Sequence, residues 1–217
     1  MLFRSRGYTT FERKQPEERV PYCGANPIAD MWSERAMSLL AGVFRRAIKD
    51  GSDTEAREQM AMAATFAGLG FGNAGVHIPH ANAYPIAGRV SELSSSFVPE
   101  GYPEGEPIVP HGMAVSLTAP AAFRFTFDAA PERHLRAARI LDPDASGDGP
   151  ELLASVLTAL MRDIGIPNGL AEVGYGASDV DDLVAGATQQ HRLLATAPKA
   201  PTEEDLARVF VASMEHW

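Results

Sequence analysis

Cysteine, cationic charge and long apolar runs are all scarce in this chain of 217 residues. It holds one cysteine, Cys23, so no disulfide can form within it, and that fits a reducing compartment. A lone cysteine more often packs as a small residue than acts as a nucleophile. Lys and Arg number 19 against 28 Asp and Glu, and the formal net charge of −9 disfavours broad binding to a nucleic-acid backbone. No 18-residue apolar stretch is free of charge, so no membrane span is expected. The most apolar stretch, about residues 60–75, is interrupted by Gly68, Gly70 and Gly72 and reads as a buried helix. No apolar signal segment follows Met1, and the cytoplasm is the expected location. Strand-like alternation is missing along the whole chain. So are Gly-x-Ser-x-Gly, Walker, Cys-x-x-Cys and dinucleotide-loop motifs.

What remains is a sequence of ordinary composition, 45% apolar and 22% charged, long enough to bury a core. Residues 1–25 show no steady period and read as an irregular lead-in. The local basic cluster there (Arg4, Arg6, Arg13, Lys14, Arg19) reads as a solvated tail. Residues 26–217 read as one all-α domain of about eight helices. Asn26 is the expected N-cap and Pro27 the first residue of a helix that stops at Asp50-Gly51. A second helix starts at Asp53, and its Ala- and Gly-rich centre admits another backbone at close range. A third is expected over about 76–87, then a loop over 88–109. A fourth runs from near His111 to about Phe127 with a bend at Pro120. Others follow at about Pro131–Leu141, about Glu151–Asp163, from near Ser178, and from Thr202, where Asp205 completes a capping box.

Six histidines occur, and three of them, His77, His80 and His111, fall in two short segments. Imidazole is a common ligand for first-row metals. On one continuous helix His77 and His80 would share a face and could chelate an ion. His111 follows Pro110 at a helix start after a long loop, where binding groups gather. The other three, His134, His191 and His216, read as surface residues on polar helix faces or ends. Asp142-x-Asp144-x-Ser146-Gly147 opens like a calcium loop, but Leu153 stands where the closing glutamate belongs, so the segment reads as a turn. Tyr175, within Gly174-Tyr175-Gly176, reads as a packing residue.

The run Ala67–Gly88 resembles the signature of the iron-containing (group III) alcohol dehydrogenases. Gly72-Asn73-Ala74-Gly75-Val76-His77 and Ala83-Tyr84-Pro85-Ile86-Ala87-Gly88 are closest to the hydroxyacid-oxoacid transhydrogenase branch. Asn26-Pro27-Ile28-Ala29-Asp30, Val109-Pro110-His111-Gly112, Pro131-Glu132-Arg133-His134-Leu135 and Glu203-Glu204-Asp205-Leu206 extend the likeness over about Tyr8 to Trp217.

The resemblance implies the helical C-terminal half of such an enzyme. In that family one Asp and three His hold Fe²⁺ or Zn²⁺, and a nicotinamide, NAD(P), carries hydride. His80 and His111 match two ligands, while His77 falls on a non-ligand position, expected near substrate or cofactor. Tyr84 stands where the second histidine of the family's His-x-x-x-His segment would be, beside substrate and cofactor.

The family's other two ligands lie on an Asp-x-x-x-His stretch just before the point matching residue 8, and Met1–Gly7 contain none. The Gly-Gly-Gly-Ser dinucleotide loop is also missing. No complete catalytic set and no cofactor-binding residue is therefore expected, only a weak partial metal site. The implied partners are an N-terminal α/β half, or a second copy through an exposed face, and a small hydroxyacid. The alternative is a non-catalytic helical module or partner subunit that keeps the fold without the activity.

Overall fold

A computed structural model describes residues 15, 17, 24–92, 97–103 and 105–217. Cys23 and the basic cluster of the expected lead-in lie outside the described residues. Among the described residues nine α-helices follow in order: α1 (Pro27–Lys49), α2 (Thr54–Ala74), α3 (Ile78–Arg89), α4 (His111–Thr126), α5 (Pro131–Leu141), α6 (Glu151–Asp163), α7 (Val180–Thr188), α8 (His191–Leu194) and α9 (Glu203–Val211). No strand occurs among the described residues, and no helix there is long and apolar enough to cross a membrane.

The starts of α1, α2 and α9 follow from their caps. Asn26 Oδ1 accepts from the N–H groups of Ile28 (3.1 Å) and Ala29 (3.0 Å), with Pro27 in the first turn. Asp53 Oδ1 accepts from Ala56 N–H at 3.0 Å. At α9 the capping box closes both ways: Asp205 N–H donates to Thr202 Oγ1 (3.1 Å), and Thr202 N–H donates to Asp205 Oδ2 (2.9 Å).

Both ends of the third helix differ from expectation, and one helix is additional. The third helix begins at Ile78 instead of Val76, because Gly75 ends α2 with a positive φ of 82° and His77 is non-helical at φ −133°. That helix also runs on to Arg89 and continues as a 3₁₀ turn over Val90–Glu92, which takes the start of the expected 88–109 loop. The ninth helix is α8, a single turn too short to leave a periodic pattern.

The larger core lies among α3, α4, α7 and α9, around Ile78, Ile86, Leu117, Leu183 and Phe210. A smaller one joins α5 to α6 through Ala137, Ala138, Leu153 and Val156. α1 and α2 form a close hairpin. A Cβ on Gly70 would stand 2.5 Å from Ser33 Oγ and 3.3 Å from Ala29 O, so the small centre of α2 does bring a backbone close. α2 rests almost wholly on α1, and α1 reaches the body through α5, helped by ion pairs Arg133–Asp30 and Arg136–Glu34.

His134 is the clearest departure from the sequence reading. It is 1% exposed, its Nδ1–H donates to Ala130 O (2.8 Å), and Nε2 faces Thr126 Oγ1 at 3.0 Å. Phe123 and Phe127 pack edge-on around its ring. His191 is exposed as expected, and His216 is partly buried with Nε2 on Leu117 O at 2.8 Å. Asp142–Gly147 forms the expected turn between α5 and α6. Tyr175 is 2% exposed, donates its hydroxyl to Ile86 O at 2.6 Å, and is pushed above its usual pKa by burial, as suits a packing residue.

Candidate metal centre

Two helix starts create this centre. α3 begins at Ile78 with Pro79 in its first turn, so His80 sits in that turn and Tyr84 lies one turn further along the same face. α4 begins at His111 itself. The chain entering it is pinned by Val109, 1% exposed, and by Ile108 N–H donating to Phe97 O at 2.9 Å.

The rings of His80 and His111 stand 5.6 Å apart, centre to centre, and Tyr84 stands 6.2 Å from His111. Tyr84 is 45% exposed, which leaves its hydroxyl open to a ligand. His77 does not join this group. It lies before the helix, so the helical spacing that would pair it with His80 does not exist. Its ring is buried edge-on against Phe123 at 5.7 Å.

Burial, with the facing His111 as a second cause, holds His80 down to about 4. His77 is pushed well below its ordinary value, also by burial. Near neutral pH the His80 imidazole is therefore uncharged, which is the form that binds a metal. One tetrahedral ion, about 2.1 Å from each bonding nitrogen, holds two imidazole centres roughly 5 Å apart. The 5.6 Å observed fits two ligands on one ion. No group of three or more His, Cys, Asp or Glu placed to hold a metal exists among the described residues. The spacing of His80 and His111 suits two ligands of one ion.

An apolar slot of about 490 Å³ opens one turn along α4 from His111, at Val115 and Ser116. Its walls include Met37 of α1, Ala63 and Ala67 of α2, Phe123 of α4 and Leu157 of α6. Sequence reading missed this slot and also missed the buried pair Asn82 and Thr118 between the two histidine helices. Asn82 could have been found, since it falls at helical spacing between the apolar Ile78 and Ile86.

A family model described as "Fe-containing alcohol dehydrogenase family, C-terminal" matches residues 18–91 and 104–214. The hydroxyacid-oxoacid transhydrogenase, mitochondrial, of Xenopus laevis is 44% identical over 204 residues, covering 92% of this chain and 43% of that protein. The Homo sapiens protein of the same name is 43% identical with the same coverage. The chain therefore spans about two fifths of the length of these relatives. Among solved structures, a 1,3-propanediol oxidoreductase superposes with a TM-score of 0.74 at 27% identity, over 87% of this chain and 46% of that one. An alcohol dehydrogenase from Oenococcus oeni gives a TM-score of 0.74 at 28% identity, over 87% and 45%.

Proposed function

The chain belongs to the Fe-containing alcohol dehydrogenase family, matching its C-terminal part, and from that premise we propose that it supplies the helical half of a metal-dependent hydride-transfer site. The reaction class is oxidation of a short hydroxyacid or alcohol, with hydride passing to an oxoacid or a nicotinamide and the hydroxyl proton released. The observation that carries this reading is the pair of facing imidazoles, His80 and His111, at 5.6 Å. They would hold Fe²⁺ or Zn²⁺. When bound, such an ion supplies Lewis acidity that lowers the pKa of an alcohol hydroxyl.

The chain's own contributions are positional. α3 and α4 bring two imidazole rings together, and burial keeps that of His80 uncharged near neutral pH. Tyr84, exposed beside His111, presents a hydroxyl that can orient a carboxylate or carbonyl of the substrate. The donors that complete the shell, and the groups that hold a nicotinamide, come from outside the described residues. The apolar slot beside His111 suits an added helix. Its Ala63 and Ala67 wall lets a backbone approach, and Val115 continues the face that carries His111.

A second reading is a helical module that retains the fold without activity, and it is favoured by the lack of a third donor among the described residues. Titration of Zn²⁺ into the purified chain separates the two. The first reading expects one weak site per chain, lost in His80→Ala and in His111→Ala. Equal binding in wild type and both variants would reject the ligand pair.

A further inference from the structure

Asn82 and Thr118 are each 0% exposed, and Asn82 Nδ2 donates to Thr118 Oγ1 at 3.3 Å. Asn82 lies on α3 between Ile78 and Ile86, both 0% exposed, at the four-residue spacing that forms one apolar stripe. Thr118 lies on α4 among Ala114, Leu117 and Ala122, all 0% exposed. Asn82 Oδ1 is buried with no hydrogen-bond partner among the described residues. A long hydrogen bond with an unmet acceptor is a poor source of stability. An apolar pair of the same size would do as well or better.

The α4 side of this contact is built largely from alanine. Shallow side chains offer few knobs, so shape alone specifies the sliding position of α3 on α4 weakly. Sliding by one helical turn moves a residue about 5.4 Å, as far as His80 now stands from His111. A buried asparagine in an apolar helix seam can fix register at some expense of stability.

We propose that Asn82 and Thr118 are positioning residues: their hydrogen bond sets the register of α3 on α4 and so holds His80 and His111 at chelating distance. This rests on the reading of those two histidines as ligands.

The test uses the full chain and Cu²⁺, the tightest-binding of the first-row divalent probes. Cu²⁺ affinity, the nitrogen splitting in its electron paramagnetic resonance spectrum and the unfolding temperature without metal are all measured. In Asn82→Leu/Thr118→Val the unfolding temperature is expected to hold or rise. Cu²⁺ affinity is expected to fall about tenfold or more, the usual effect of losing an orienting partner, with splitting from two nitrogens reduced to one. Thr118→Ser, which keeps the hydroxyl, should retain wild-type affinity. Affinity and splitting unchanged in the double variant would overturn the proposal, as would an equal loss in Thr118→Ser. If the double variant does not fold, Thr118→Val alone decides by the same criteria. Cu²⁺ binding unaffected by His80→Ala and His111→Ala would instead reject the ligand pair itself, and the register role with it.

Discussion

At the scale of single residues the histidines divide by burial, which their letters do not reveal. His134 looked like a surface residue because it is polar and flanked by Arg133 and Arg136. It nonetheless shares a helical face with Ala137 and Ala138, both nearly inaccessible, and that spacing was visible in the sequence. Burial, partly opposed by the hydrogen bond to Ala130 O, holds it down to about 4, and His80 is likewise held to about 4. In the unfolded chain both titrate near 6.5. Between these values the unfolded state binds more protons, so stability rises with pH there. The contribution is fully present above about 6.5 and is lost as pH falls toward 4. Thermal unfolding of the metal-free chain should therefore drop steadily in temperature across that window. His134→Gln, which keeps a donor for Ala130 O but cannot take up the proton, should flatten the slope. Superimposable pH profiles for variant and wild type would contradict the assignment. That His77 stands off the helix carrying His80 was not legible from periodicity, because the turn at Gly75 leaves no periodic trace.

At the scale of helices, the existence and type of the long elements were legible because their apolar periodicity and caps agree. The small α8 and the start of α3 were not, since both are decided by local backbone turns. Two glycines show how packing separates residues of one type. Gly186 of α7 faces Pro85 of α3: an added Cβ would lie 2.6 Å from Pro85 Cβ. Gly68, inside α2, has nothing within 4 Å of such a Cβ. Gly186→Ala should therefore force α7 from α3 and destabilise the chain by about 1–3 kcal/mol. It should also weaken Zn²⁺ binding, since α3 carries His80. Gly68→Ala should instead stabilise by roughly 0.5–1 kcal/mol by reducing the freedom of the unfolded chain. Denaturant titration of both variants checks the sign. Equal shifts would mean that the close α3–α7 approach has no energetic weight.

At the scale of the whole molecule, the facing pair His80 and His111 and the apolar slot lie about one helical turn apart along α4. The hairpin of α1 and α2 stands away from α4 and α6, and the space between is lined by side chains that elsewhere would be core. α2 also turns Met62, Leu69 and Phe71 outward, at 48%, 50% and 41% exposure. Sequence periodicity marks these positions as apolar but carries no information on which distant element, if any, packs against them. An open apolar slot that is dry and unfilled binds apolar probes. The isolated chain should thus take up the dye 1-anilinonaphthalene-8-sulfonate while its far-ultraviolet dichroism stays that of a folded helical protein. Ala64→Leu with Ala67→Leu places new methylene and methyl groups in the slot, each worth about 0.8 kcal/mol when buried. Dye uptake should fall and the unfolding temperature should rise together, while Zn²⁺ binding at His80 and His111 is kept. Because the proposed site draws two donors, His80 and His111, from the described residues, neither form is expected to turn over 4-hydroxybutyrate with a nicotinamide. Dye uptake that persists in the filled variant would show that the slot is not the open face, and nicotinamide-dependent turnover by the isolated chain would show that its site needs no added donors.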